Sequence, residues 1–306
     1  MKKRRIGSTI LLVLLLLLGF GLLLYPRFAD WWNTRRAQSL VTEYEAAIVE
    51  KDSSEIENMR ALAIAYNKTL VGSVVPDIFA ELQLPPNAEY DYVLNPVGNG
   101  FMGRVEIPLI GQNIPIYHYT TNEILEKGAG HLAGSSVPIG GEDTHSVITA
   151  HRGLPSAKLF TDLNLVKEGD VFYIHVLEET LAYEVDQIQK VLPYETASLA
   201  IEAGHDYCTL VTCDPYAVNT HRILVRGHRI PYEEVQYQQE LQKTAPVINT
   251  STLIPTLICV GIGLALAGAL ILLLNKFSKR REEKKIEEDE ESGSGDEDSP
   301  GDLAEK

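Results

Sequence analysis

Cysteine is scarce in this sequence. Only 3 of its 306 residues are cysteine, which excludes the disulfide-dense scaffold typical of small secreted domains. Because the number is odd, at least one thiol has no partner within the chain.

Basic residues are also too few for a general nucleic-acid binder. The 27 Lys and Arg against 42 Asp and Glu give a formal charge of -15, whereas nucleic-acid binding relies on a basic surface. Recognisable metal-ligand patterns are missing too, with no Cys-x-x-Cys or His-x-x-x-His pair. We therefore expect no metal or other cofactor. A hydrophobic fraction of 45% excludes a wholly disordered chain.

The mean hydropathy of -0.05 conceals two long apolar runs, residues 6–25 and 253–274. About 20 apolar residues span a bilayer as a helix. Basic clusters lie just before the first run and just after the second. The positive-inside rule then places both termini in the cytoplasm and the middle of the chain outside the cell. A cleaved signal peptide is the alternative for the first run, but residues 25–28, Tyr-Pro-Arg-Phe, make a poor cleavage site.

The region between the runs changes character near residue 100. Amphipathic spacing predicts one or two helices within 34–70, and residues 71–99 are rich in proline and glycine. Short helices are expected at 122–127 and 156–163. Short strands rich in Val, Ile and Tyr predict a mainly β closed barrel or sandwich. They cover residues 103–107, 114–118, 145–150, 171–177, 182–191, 207–213 and 223–230.

Two cysteines lie in one predicted strand. Cys208 and Cys213 are about 17 Å apart if the strand is extended, and their odd offset points them to opposite faces, so they should not pair. A thiol nucleophile needs a histidine, and His151 also ends a strand. Arg222, at the start of the next strand, suits an oxyanion donor better than Arg226 or Arg229. That both cysteines are inert strand residues stays open on spacing alone.

The residues around this constellation resemble sortases, the surface transpeptidases of Gram-positive bacteria. Thr209-Leu210-Val211-Thr212-Cys213, with Arg222 and His151, looks like their signature. Further segments resemble class C, the pilus-assembling sortases, over residues 102–232. These are 114–118 (IPIYH), 128–136 (GAGHLAGSS), 150–154 (AHRGL) and 219–222 (NTHR).

The resemblance implies a closed eight-stranded β-barrel with short helices and a Cys-His-Arg site. Cys213 would attack the Thr carbonyl of an LPXTG-like sorting signal, His151 would act as acid and base, and Arg222 would hold the oxyanion. The partners implied are pilin subunits bearing the sorting signal and an acceptor lysine, together with the cell membrane.

The expected organisation has eight segments, ordered from the N-terminus. They are a cytoplasmic basic N-terminus (1–5), a transmembrane helix (6–25), an extracellular helical region (26–70), a lid loop (71–99), the catalytic barrel (100–235), a juxtamembrane linker (236–252), a second transmembrane helix (253–274) and a cytoplasmic basic-then-acidic disordered tail (275–306).

Three positions depart from the class C pattern. The lid of these enzymes carries an Asp-Pro-aromatic motif, and here Asp77 and Phe79 are its counterparts around Ile78. Tyr119 stands where a glycine commonly follows the histidine. Asp214 puts a negative charge beside the nucleophile, and the sequence leaves open whether it raises the thiol pKa or tunes the substrate.

Other functions have weaker support. A housekeeping-type sortase that attaches proteins to peptidoglycan differs only in its acceptor, and the second apolar run favours class C. A non-catalytic binding module has no need of His151, Cys213 and Arg222 together. A papain-like protease is excluded because its cysteine precedes its histidine.

Overall fold

The computed structural model describes residues 2–70, 88–216 and 218–242, with a few isolated positions between 261 and 283. The chain divides into two units, 1–247 and 248–306, and every element below belongs to the first. The 253–274 run, apart from three glycines, and the 275–306 tail, apart from three positions, lie outside the described residues. The side chains of residues 1–14, 16 and 17, which include much of the predicted 6–25 span, also lie outside the described part. Among the helices and side chains that are described, none is long and apolar enough to cross a membrane.

Helices precede the sheet. Helix α1 (Lys2–Glu50) is continuous and contains Pro26. Helix α2 (Ser53–Thr69) begins at the N-cap Asp52, whose carboxylate accepts the N–H of Glu55 at 2.8 Å. A short helix, α3 (Ala88–Tyr92), leads into the strands. The helices expected within 34–70 are therefore present.

Eight strands close into a barrel, as the resemblance implied. They are β1 (Phe101–Ile107), β2 (Gln112–His118), β3 (Ala129–His131), β4 (Thr144–Thr149), β5 (Val171–Val176), β6 (Glu179–Val191), β7 (Asp206–Asp214) and β8 (His221–Ile230). Helix α4 (Asn122–Leu125) lies between β2 and β3, and α5 (Glu234–Gln242) follows β8. Around the barrel the order is β1-β2-β3-β4-β7-β8-β6-β5. The β2–β3 and β4–β7 pairs are parallel and the others antiparallel.

The barrel interior holds the main apolar core, in which side chains such as Ile148, Leu210 and Val225 are fully buried. Helix α1 packs against β1 and β2. Tyr44 packs its ring 4.7 Å from that of Phe101, and its hydroxyl donates to Met102 O at 3.0 Å and accepts from Leu177 N at 2.9 Å. The N-terminal helices are thus part of the same folded unit as the barrel.

A buried polar chain fixes α3 to the sheet. The Tyr90 hydroxyl lies 2.7 Å from His131 Nδ1, and His131 Nε2 lies 2.8 Å from Ser136 O. Because a carbonyl only accepts, Nε2 carries the proton and Nδ1 accepts from Tyr90. Burial lowers the pKa of His131 to about 3, so this imidazole is a neutral structural group.

Strand β3 was not predicted, because three residues are too few to show an alternating apolar pattern. The structure explains the glycine at position 130. A Cβ there would collide with the backbone oxygen of Tyr119, so only glycine lets the two segments approach this closely.

The helix expected at 156–163 was wrong. This part of the loop between β4 and β5 is irregular, and only a 3₁₀ turn at Leu163–Leu165 follows it. Two backbone groups of residues 156–163 bond outside that segment: Lys158 N–H donates to Asp30 Oδ1, and Phe160 N–H donates to His151 O. Leu159 adopts a positive φ of 40°, which a right-handed helix cannot contain.

Candidate active site

The sheet register places Cys213 and Arg222 side by side. Strands β7 and β8 are antiparallel, and Cys213 lies directly opposite Arg222. Directly opposed residues share a face of the sheet and have Cβ atoms about 4.5–5.5 Å apart. The thiol and the guanidinium group are therefore neighbours, as the sequence predicted.

A parallel pair brings His151 to the same level. Strands β4 and β7 are in register up to Thr149 and Val211, and Ala150 N–H extends the ladder by donating to Val211 O at 3.1 Å. His151 and Cys213 each lie two residues beyond that last pair. Because parallel strands end at the same edge, the imidazole and the thiol share one end of the barrel.

Two hydrogen bonds hold the backbone at Ala150 and His151. The Thr212 hydroxyl donates to Ala150 O at 2.8 Å, which ties the residue before His151 to the residue before Cys213. Phe160 N–H donates to His151 O at 3.2 Å. The backbone of His151 is thus fixed to β7 and to the loop that follows it, although the sequence did not point to Thr212.

The two described cysteines lie on opposite faces, as their odd offset predicted. Cys208 is fully buried in the barrel interior with Leu210. Cys213 alternates with it and shares the outer face with Val211, which packs in a small separate cluster with Val147 and Leu224. Both thiols are unpaired. The reactive groups therefore stand outside the main core.

The guanidinium group of Arg222 is held by the turn that precedes it. Its Nη1 donates to Asn219 O at 3.0 Å and to His221 O at 3.1 Å, and the residue is only 7% exposed. These two carbonyls fix one terminal nitrogen of the guanidinium group. Such a preorganised cation next to a thiol suits a developing oxyanion.

Burial sets the resting protonation states of the site. Burial raises the pKa of the Cys213 thiol, and the positive charges of Arg222 and Arg152 lower it by a smaller amount. Burial lowers the pKa of His151, which is partly offset by the nearby carboxylate of Glu126. The neutral thiol and neutral imidazole are thus favoured in the free protein at neutral pH.

The charge of Asp214 is neutralised by two cations. Its carboxylate pairs with Arg152 Nη1, and with Lys190 Nζ at 2.6 Å. Burial alone raises the pKa of Asp214, but the bonds to Lys190 and Arg152 outweigh it and hold the pKa below its ordinary value. The Asp214 carboxylate thus connects Arg152, the residue after His151, to Lys190 of β6. Burial, and not this acid, accounts for the raised pKa of the thiol.

Arg152 is a functional residue that sequence reasoning missed. Besides its ion pair, it donates through Nε to Thr161 O at 3.1 Å and through Nη2 to Asn164 Oδ1 at 3.0 Å. The guanidinium group is thereby locked near the thiol, and its charge lowers the pKa of Cys213. The one available signal was its position next to His151.

The remaining candidates lie elsewhere or beyond the described residues. Arg226 forms a two-pronged pair with Asp186, both contacts at 3.0 Å, and Arg229 stacks on the Tyr183 ring. Both are further along β8 than Arg222. Tyr119 adopts φ 68°, the conformation that favours the glycine common in class C. Asp77 and Phe79 fall within residues 71–87, which are not described.

The described residues hold no cluster of three or more His, Cys, Asp or Glu side chains that fits a metal ion.

The charges around Cys213 predict the pH dependence of its alkylation. Because burial raises the thiol pKa, the labelling rate with iodoacetamide should reach its midpoint above the value of about 8.5 for an ordinary cysteine. Arg152→Gln removes a cation that lowers this pKa, so its midpoint should move to still higher pH. Peptide mass spectrometry distinguishes Cys213 from the other cysteines.

Arg229→Gln is the matched control for this titration, because it removes an arginine at the far end of β8. Its midpoint should equal that of the unmodified protein. An Arg152→Gln midpoint at the same or lower pH would contradict the proposed effect of Arg152 on the thiol.

Known proteins share this fold. The sortase domain family matches residues 105–230. A sortase A of Bacillus anthracis is 27% identical over 227 residues, which cover 74% of this chain and 96% of that protein. A crystal structure of sortase C-1 from Streptococcus pneumoniae is 46% identical, with a TM-score of 0.60, and covers 64% of this chain and 100% of its own.

A second solved structure bears on the class. A pilus-related sortase C of Group B Streptococcus is 45% identical, with a TM-score of 0.58, and the match covers 63% of this chain and 97% of that one. The two matches cover 97–100% of the sortase C chains, so the similarity extends well beyond the signature around the thiol. The chain belongs to the sortase family, in class C, and is a cysteine transpeptidase.

Proposed function

We propose that this enzyme cleaves an LPXTG-like sorting signal between Thr and Gly and transfers the pilin to a lysine amine of the next subunit. The observation that carries the proposal is the shared register of Cys213, Arg222 and His151 at one edge of the barrel. The likeness to a pilus-related sortase supports pilin as the substrate.

In the acylation step, the Cys213 thiol gives its proton to the His151 imidazole, and the resulting thiolate attacks the carbonyl carbon of the signal's Thr. The carbonyl oxygen becomes an oxyanion, to which Arg222 donates from beside the thiol. His151, as the imidazolium, protonates the glycine amine as the C–N bond breaks. The products are a thioester on Cys213 and a free C-terminal fragment.

In the transfer step, the neutral ε-amine of a lysine attacks the thioester carbonyl. His151, now an uncharged imidazole, takes the proton released by the amine. Collapse of the second oxyanion breaks the C–S bond and returns the Cys213 thiolate. The product is an isopeptide bond between two pilins, and repetition of the cycle lengthens the polymer.

The membrane completes the proposal. Residues 6–25 and 253–274 are apolar along their length and flanked by basic residues on the side away from the barrel. Two spans would hold the barrel outside the cell, with both termini in the cytoplasm. Substrate pilins would then meet the enzyme at the outer surface of the membrane.

Competition between two acceptors tests the transfer. The full-length enzyme in detergent is given a donor pilin with an LPXTG-like signal, an acceptor pilin with its lysine and a peptidoglycan-type amine at equal concentration. We expect isopeptide-linked pilin oligomers by gel and mass spectrometry. An acceptor whose lysines are changed to arginine is the control and should give none.

The alternative acceptor has a distinct outcome in the same reaction. A housekeeping-type enzyme would attach the donor to the peptidoglycan-type amine and leave the acceptor pilin unmodified. That result would overturn pilin polymerisation while leaving the cysteine chemistry in place.

A further inference from the structure

Three large aromatic side chains of α1 are exposed to solvent immediately after the first apolar run. Phe28, Trp31 and Trp32 are 61%, 48% and 58% exposed. Their ring centroids lie 5.8–6.5 Å apart, so they form one patch, here called the aromatic surface. Exposed apolar patches of this kind mark contact with a partner or a membrane.

Arginines flank the aromatic surface on the same stretch of helix. Arg27, Arg35 and Arg36 occur within residues 27–36, and the Arg35 guanidinium lies 4.8 Å from the Trp31 ring centroid. Indole rings concentrate at the membrane–water interface, and arginines nearby attract anionic headgroups. Rings and cations on a helix that continues from an apolar run therefore fit a bilayer rather than a protein.

This stretch of α1 is also bound to the active-site end of the barrel. Asp30 Oδ1 accepts Lys158 N–H at 2.8 Å, and Asn33 Nδ2 donates to Ser156 O at 2.8 Å. Both partners belong to the loop that begins with His151. Between Leu24 and Asp30 the helix rises only about 9 Å, which is close to the thickness of one headgroup layer.

A second attachment fixes the direction of the helix. The Tyr44 hydroxyl bonds to Met102 O and Leu177 N, about 21 Å along the axis from Asp30. A helix held at two points so far apart cannot swing relative to the barrel. Its path into the membrane therefore determines which part of the barrel faces the lipid.

We propose that residues 25–36 form a membrane-interface surface for an anionic bilayer. Phe28, Trp31 and Trp32 lie among the headgroups, and the arginines contact lipid phosphates. Asp30 and Asn33 hold the loop after His151 at that surface, so the active-site edge faces the membrane. The inference rests on the membrane anchoring proposed above.

Tryptophan fluorescence tests the lipid contact, because Trp31 and Trp32 are the two tryptophans of the whole chain. The full-length protein is reconstituted into phosphatidylcholine–phosphatidylglycerol vesicles that contain lipids brominated near the carbonyl or near the methyl end. We expect blue-shifted emission and stronger quenching by the shallow bromines. Water-like emission that brominated lipid does not quench, or stronger quenching by the deep bromines, would overturn the interface.

The arginines are tested in the same vesicles. Arg27→Gln/Arg35→Gln/Arg36→Gln should remove the difference in emission between anionic vesicles and pure phosphatidylcholine vesicles. Lys51→Gln/Lys68→Gln/Lys167→Gln removes three charges elsewhere and should keep the difference. If both triple variants keep the emission difference, or both lose it, the contact between the arginines and the headgroups is contradicted.

Asp30→Ala/Asn33→Ala tests the orientation. A sorting-signal peptide is supplied either in solution or tethered to the same vesicles by an acyl chain. We expect a several-fold slower cleavage of the tethered peptide and an unchanged rate on the soluble one. Thr34→Ala/Gln38→Ala, on exposed positions of the same helix, should affect neither rate.

The remaining outcomes are also decisive. If both rates fall together, Asp30 and Asn33 act on the fold, and if neither changes, they do not set the orientation. Cleavage of the soluble peptide by the unmodified enzyme reports on the transpeptidase separately. The inference can therefore fail while the proposed function stands.

Discussion

Cys213→Ala should abolish both cleavage of an LPXTG-like peptide and polymer formation, because the thioester can form on no other atom of the site. Cys213 is the thiol beside Arg222, whereas Cys208 points into the core. Cleavage is measured by release of the glycine-containing fragment, and acylation by the mass of the trapped thioester. Both should fall to background.

Cys208→Ala is the matched control, since it removes the other buried free cysteine of the same strand. Burial raises the pKa of Cys208 well above that of an ordinary thiol, so it does not supply a thiolate. The variant should retain activity and lose only the modest stability of a small core truncation, about 1 kcal/mol. An inactive but folded Cys208→Ala, or polymer formed by Cys213→Ala, would refute the assignment of the nucleophile.

Arg222→Ala should reduce kcat for peptide cleavage by about 10²–10³-fold, the usual loss on removal of one oxyanion donor. Two further effects follow from its position opposite Cys213. The thiol pKa should rise, because Arg222 is the stronger of the two cations that lower it, so the variant should also label more slowly at neutral pH. Single-turnover kinetics separate acylation from transfer.

Arg222→Lys distinguishes charge from geometry. Lysine keeps the cation but cannot reproduce a planar fork anchored on the carbonyls of Asn219 and His221. We expect thiol labelling close to that of the unmodified enzyme, yet cleavage still well below it. Full recovery of kcat would mean that Arg222 acts only through its charge.

Much of the barrel was predictable because its strands carry local signals. Residues 183–186 alternate apolar and polar side chains, and the observed β6 covers the whole predicted strand at 182–191. Strand β3 lacked such a signal because it has only three residues, Ala129–His131. The 156–163 segment misled because its backbone bonds to α1 and to His151, and its internal hydrogen bonds form only isolated turns.

Residue types were enough to point to the candidate site, but not to the residues that support it. The sequence pointed to Cys213, His151 and Arg222 because a thiol nucleophile needs a base and an oxyanion donor. The roles of Thr212 and Arg152 depend on the parallel pairing of β4 with β7, which joins segments about 60 residues apart. No local pattern encodes that pairing, so the hydrogen bonds across it were not foreseen.

The outer-face position of the nucleophile has a consequence for insertions and deletions. Side chains of β7 alternate between the interior and the reactive face, so one added residue between Cys208 and Cys213 would turn the thiol into the core. Such a change would remove the nucleophile and at the same time turn Thr212, which is fully buried, toward the outer face. The number of residues in β7 between Cys208 and Cys213 is therefore locked. Relatives with new substrates should keep this residue count.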